Sequence, residues 1–123
     1  MDFSSSNQTP LFLQIAEYLE DAIFTGLYPE GGQIPSTTEI SAQEHINPAT
    51  VLKGMNILVD RGWIEKRRGL GMFVCQGARE SIRARRLEDF GASYVAPMKR
   101  EADKLGIGRD EVVSFVMEAF DEA

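Results

Sequence analysis

Apolar residues recur along the first stretch of the chain with the period of a helix. In TPLFLQIAEYLEDAIFTG, residues Leu11, Phe12, Ile15, Leu19, Ala22 and Ile23 share one face, which predicts a helix over 10–25. Pro10 suits its first turn and Gly26 its C′ position. The glycine-rich segment LYPEGGQIP then reads as a connection, with a short strand predicted at Gln33–Ile34. Ser36, followed three residues on by Glu39, forms a capping box that opens a second helix running to about Gln43. After a turn over 44–46, Asn47 as N-cap and Pro48 as first helical residue open a third helix. Val51, Met55 and Leu58 form its inner stripe, Ala49, Thr50 and Lys53 fall on the other side, and Gly62 closes it. Two helices joined by a tight turn, the second starting with small polar residues, make a helix-turn-helix pattern.

The pattern then changes. Trp63 to Val74 reads as two β-rich runs around Arg68-Gly69-Leu70-Gly71, which predicts a hairpin. From Ala78 the helical period returns, with Leu87, Phe90, Tyr94, Met98 and Leu105 in register. Pro97 lies inside that run and predicts a kink or break. LGIG at 105–108 marks a stop and a restart, after which Val112, Val113, Val116, Met117 and Phe120 mark a final helix. The expected fold is mostly α with a small β-hairpin, a winged helix-turn-helix followed by a short two-helix C-terminal segment. Residues 1–9 read as a mobile arm, 10–77 as the winged helix and 78–123 as a helical tail.

Charge complicates this picture. The chain of 123 residues has a formal charge of −6. Residues 1–47 contain no Lys or Arg and carry a net −7, residues 48–77 a net +3, and the remainder a net −2. The overall sign opposes a polyanionic partner, whereas the local sign in 48–77 favours one. Screening over a Debye length of roughly 8 Å lets a local patch act independently of distant acids. The positive charge is densest in IEKRRGLGMFV, where Lys66, Arg67 and Arg68 run into Gly69 and Gly71.

Other classes are excluded or disfavoured. No apolar run approaches the roughly 18–20 residues of a membrane span, and MDFSSSNQTP lacks the basic and apolar regions of a secretory signal. One cysteine, Cys75, forms no internal disulfide and fits a reducing, cytoplasmic setting. With His45 the only histidine, a His/Cys metal site is not expected, and neither is a cofactor. His45, in the turn of the helix-turn-helix, reads as a structural or exposed residue, and Cys75 as a small semi-buried apolar one. No nucleophile–base arrangement, phosphate loop or suitably placed carboxylate pair is present, so no enzyme is expected.

Nucleic-acid chemistry fits the helix-turn-helix and the hairpin. Phosphates are bound by cations, backbone N–H groups and helix N-termini. Ser36 and Asn47 place two helix ends at turns, and Thr37, Thr38 and Thr50 offer hydroxyls. Ala49 and Thr50 are small enough to approach base edges, and Lys53 lies one turn further on. In the wing, Gly69 and Gly71 allow close backbone approach, and Lys66, Arg67 and Arg68 supply charge for phosphates or a narrow minor groove. Arg83, Arg85 and Arg86 read as a solvated helix face.

Pro10 to Val74 resembles the GntR family of bacterial transcription regulators. PLFLQIAEYLEDAIFTG is similar to the family's opening helix, QIPSTTEIS to its second-helix start, and INPATVLKGMNILVDRGWIEKRRGLGMFV to its recognition helix and wing. The tail, GARESIRARRLEDFGASYVAPMKREADKLGIGRDEVVSFV, is similar to the YtrA-type branch, which has a short two-helix segment in place of a large effector domain. The 49 residues after Val74 agree with that branch in length. This resemblance implies a DNA-binding regulator, a repressor of its own operon and of neighbouring transporter genes. Three positions that are often basic in the family are Thr38, Pro48 and Leu52 here. The wing is therefore expected to supply most of the ionic affinity, leaving Asn47, Ala49, Thr50 and Lys53 to choose the sequence.

Two tail helices of this length cannot bury both apolar faces alone. A homodimer through residues 78–121 is expected, packed on Leu87, Phe90, Tyr94, Met98, Leu105, Val112, Val113, Val116 and Phe120. Such a dimer suits a palindromic double-stranded operator. Two other readings remain open on the residues: a protein-binding adaptor, favoured by the acidic surface, and a regulator with a small-molecule effector in the tail.

Overall fold

The computed structural model describes Phe3 and residues 8–122. Its elements are α1 (Leu11–Phe24), α2 (Thr37–Glu44), α3 (Pro48–Asp60), β1 (Ile64–Arg67), β2 (Gly71–Val74), α4 (Ala78–Phe90), a π-helical turn (Gly91–Val95), α5 (Ala96–Leu105) and α6 (Arg109–Asp121). The chain divides into two compact units, residues 1–84 and 85–123. The division falls within α4, later than the 77/78 boundary expected from sequence, because Ala78 and Ile82 are buried with the core of the first unit.

That core is continuous from α1 to the start of α4. Ile15, Leu19 and Ile23 of α1 pack with Ile40 of α2, with Val51, Met55 and Leu58 of α3, and with Trp63, Ile64 and Val74 of the hairpin. The inner stripe expected for α3 is thus buried. Gly54, in the same helix, sets how closely α1 approaches. A Cβ there would lie 2.7 Å from the Phe12 carbonyl oxygen and 3.0 Å from an Ile15 methyl, so the crossing excludes any side chain. Trp63 is buried, and its indole N–H donates to Ser81 Oγ at 3.0 Å, which ties the wing to the root of α4. Arg79 reinforces that root. Its Nε donates to the Phe24 carbonyl at 3.0 Å and its backbone N–H to Glu30 Oε1 at 3.2 Å.

Several local expectations differ in detail. Pro10 is the N-cap of α1 rather than its first helical residue, and Gly26 follows the C-cap Thr25 with φ 88°, as a C′ glycine does. The strand expected at Gln33–Ile34 is a single antiparallel bridge to Phe73 with an Ile34 N–H bond to the Met72 carbonyl, too short to count as a third strand. His45 takes a left-handed conformation, φ 55°, and its N–H caps α2 on the Ser41 carbonyl. Of the arm expected over 1–9, residues 1, 2 and 4–7 lie outside the described residues. Phe3 packs edge-to-face on Tyr18, ring centroids 5.8 Å apart.

No break occurs at Pro97. A proline inside a helix removes one hydrogen bond and crowds the carbonyl four residues back, here Ser93. The helix widens into the π turn at Gly91–Val95, where the Ala96 N–H reaches back to the Gly91 carbonyl, and the backbone passes from there into α5 without leaving helical conformation. Gly106, φ 71°, stops α5 at the expected LGIG segment. The tail positions expected to pack are left open: Leu87, Phe90, Tyr94, Met98, Leu105, Val113, Val116 and Phe120 are exposed and Val112 is half-buried. Val95, Phe115 and Met117 are exposed as well.

Candidate nucleic-acid interface

Three pieces of backbone carry the candidate residues: the start of α2, the outer face of α3 and the tip of the hairpin. At α2 the capping box is complete. Ser36 Oγ accepts from the Glu39 N–H at 3.0 Å, and Glu39 Oε1 accepts from the Ser36 N–H at 3.2 Å. This places a carboxylate at the positive end of the helix, where a phosphate would otherwise bind. The Thr37 hydroxyl points inward to Met55 Sδ at 3.4 Å, whereas Thr38 is exposed.

The start of α3 is also satisfied from within. Asn47 Oδ1 accepts from the Ala49 N–H at 2.8 Å, the Asn47 carbonyl accepts from the N–H groups of Thr50 and Val51, and Pro48 has no N–H to offer. The first turn of α3 therefore holds no spare backbone donor for a phosphate, and any reading by this helix falls to side chains. Ala49 and Lys53 are exposed on its outer face, with Thr50 half-buried at its edge. The Lys53 ammonium sits over the Phe12 ring, 4.0 Å from its centroid. The expected contact set does not include Leu52 and Asn56. Both are exposed on the same outer face, and their spacing of three or seven residues from Ala49 was the available signal.

The hairpin pairs Ile64 with Val74, Glu65 with Phe73, Lys66 with Met72 and Arg67 with Gly71. Its turn is closed by the Leu70 N–H on the Arg67 carbonyl at 2.9 Å, and Gly69, φ 76°, supplies the positive φ that the turn needs. Gln33 braces the tip from outside the hairpin. Its Nε2 donates to the Leu70 carbonyl at 2.7 Å, while Gly71 takes φ 118°, a left-handed backbone that favours glycine, and a Cβ there would push the Gln33 amide aside.

The three wing cations are not equivalent. Arg67 is held on the hairpin face, Nε and a terminal nitrogen both 3.2 Å from Glu65 Oε1, with its guanidinium 4.3 Å from the Phe73 ring centroid. Among the described residues Lys66 and Arg68 have no ion-pair partner. Arg61, which with Lys53 completes the cations of the positive segment, pairs with Glu20 at 3.6 Å and lies over Trp63. Within the wing, free charge is therefore concentrated in Lys66 and Arg68, with Arg67 partly neutralised. Cys75 is half-buried just past β2, where burial and then the Glu65 carboxylate push its thiol pKa up, against a lowering effect of Arg67. Burial, and then Tyr18, likewise raise the pKa of Tyr28.

The family model for bacterial regulatory proteins of the gntR family matches residues 11–74, the span from α1 to the end of the wing. The chain belongs to the GntR family. Its regulators are DNA-binding transcription factors, not enzymes, and this chain is one with a DNA-binding domain of that kind. It is 29% identical to the repressor YtrA of Bacillus subtilis over 62% of this chain and 58% of that protein. The structure of a GntR-family regulator from Bacteroides thetaiotaomicron superposes with a TM-score of 0.75 at 33% identity, covering 90% of this chain and 96% of that one. AraR(DBD), solved in complex with operator ORR3, superposes with a TM-score of 0.54 at 25% identity over 61% of this chain and 90% of its own. The chain spans only 29% of the length of two other curated relatives, Rv0792c of Mycobacterium tuberculosis and YurK of Bacillus subtilis. Among the described residues, no cluster of His, Cys, Asp or Glu is placed to hold a metal ion, and no helix is long and apolar enough to cross a membrane.

Proposed function

We propose that this GntR regulator is a repressor that binds a palindromic operator as a homodimer joined through residues 78–121. The observation that carries the reading is the wing tip, where Lys66 and Arg68 stand free of ion pairs on a braced, glycine-dependent turn. Cations held so are suited to phosphates or a narrow minor groove. Thr38, Ala49, Thr50 and Lys53 complete the contact set, and Ser36 and Asn47 hold the two helix starts. Thr37 and Arg67 act mainly by packing and pairing.

The homodimer is supported by the tail, whose apolar side chains are exposed in the single chain. A two-fold pair of heads raises the effective concentration of the second head once the first has bound, which offsets the overall charge of −6. The family resemblance supports control of its own operon and of neighbouring transporter genes as the targets. The likeness to AraR(DBD), which was solved with an operator, supports the DNA target.

A gel shift with the promoter of its own gene tests this reading. The expected result is a complex that weakens steeply as salt is raised. Absence of a complex at low salt would refute it and favour a protein-binding role.

A further inference from the structure

We infer that α3 reads thymine methyl groups through Leu52, with Ala49 beside it, so that the operator half-site carries thymine opposite the start of this helix. The inference deepens the DNA-binding reading above and rests on it. Leu52 is 49% exposed. Pro48 and Ala49 are one turn back on the same outward face, and both are exposed. A single exposed leucine is ordinary. Here the whole leading part of the outward face is apolar, on the element that is expected to enter the major groove.

Elimination of donors points the same way. Guanine is read by a bidentate cation, adenine by an amide, cytosine by an acceptor and thymine through its methyl group. The backbone donors at the start of α3 are occupied by Asn47 or, at Pro48, missing. The nearest cation, Lys53, lies against the Phe12 ring, on the side of α3 away from Pro48, and from there serves a phosphate rather than the base facing Leu52. Asp60 lies further along the outer face and repels phosphate there. The Asn56 amide is two turns in, away from the tip. What the leading turn can offer a base is apolar surface and the Thr50 hydroxyl, and thymine is the base that presents an apolar group in the major groove.

The test uses the full chain. Duplexes selected from a random library by binding should show a fixed thymine in each half-site. Replacing that thymine with deoxyuridine removes the methyl and keeps the base pair. Wild-type protein should lose roughly fourfold in affinity per methyl, as expected for burying one group of that size. Leu52→Ala should bind the thymine and uracil duplexes alike, and Leu52→Arg should select guanine at that position. Leu52 is exposed, so these variants leave the core intact. Half-sites without thymine, equal wild-type binding of both duplexes, or continued discrimination by Leu52→Ala would each overturn the inference alone. Failure to enrich any sequence at low salt would overturn it together with the DNA-binding reading.

Discussion

The head and the tail spend their apolar residues in opposite ways. In the first unit the large side chains of α1, α3 and the hairpin converge on one core, and Trp63, Ile15, Leu19 and Leu58 are essentially removed from water. In the second unit Phe90, Tyr94, Leu105, Phe115 and Phe120 remain more than half exposed. The head therefore carries its own stability, whereas the tail leaves its large apolar side chains in water. Burial at roughly 25 cal/mol per Å² is a gain the tail leaves unrealised in the single chain.

The sharpest way to break this contrast is to remove the centre of the head. Trp63→Ala should lower head stability by about 3–5 kcal/mol by urea denaturation, through lost packing and the orphaned Ser81 contact. A loss below about 1 kcal/mol would show that the core is not organised around the indole. Phe90→Asp should act on the tail alone: light scattering should report monomers, with an interface residue of this kind worth about 2 kcal/mol or more. Dimers that persist would move the interface elsewhere, and a large loss of head stability would erase the contrast. Gly54→Ala should destabilise the head by about 1–3 kcal/mol, since overpacking against the Phe12 carbonyl outweighs the helix-propensity gain of up to about 1 kcal/mol. Unchanged stability there would mean that α1 shifts freely.

Smallest is the split within the wing. Arg68→Ala should reduce the salt dependence of DNA binding by about 1 in log–log slope per head, and Arg67→Ala by clearly less, because Glu65 already shares its charge. Equal slopes for both variants would remove the distinction between them.

How much of this was legible in the sequence follows from the range of the interactions. The capping box at Ser36 and Glu39, the Asn47 cap with Pro48, and the Gly69 turn depend on residues at most four apart, and the structure shows each where the pattern put it. Gly54 against Phe12, Trp63 against Ser81 and Gln33 against Leu70 join segments far apart in the chain, and no local period announces them. The π turn was half visible. Pro97 signalled a disturbance, but whether a helix breaks or widens depends on how neighbouring turns relax. The pairing of Arg67 with Glu65 was readable and was missed, since residues two apart on a strand share a face. At the candidate interface, counting cations singled out the wing, while their division into free and engaged groups needed the geometry.

The closed first turn of α3 has a thermodynamic consequence. With Asn47 satisfying its leading N–H groups, the helix needs no phosphate to complete it and is fully formed before DNA arrives. Association then carries little ordering cost at this element. Calorimetry should show a heat-capacity change set by the surface brought into contact, without the additional change that accompanies folding on binding. On the DNA-binding reading proposed above, α3 meets the duplex as a rigid template, and its discrimination between sequences lies in fit rather than in induced order.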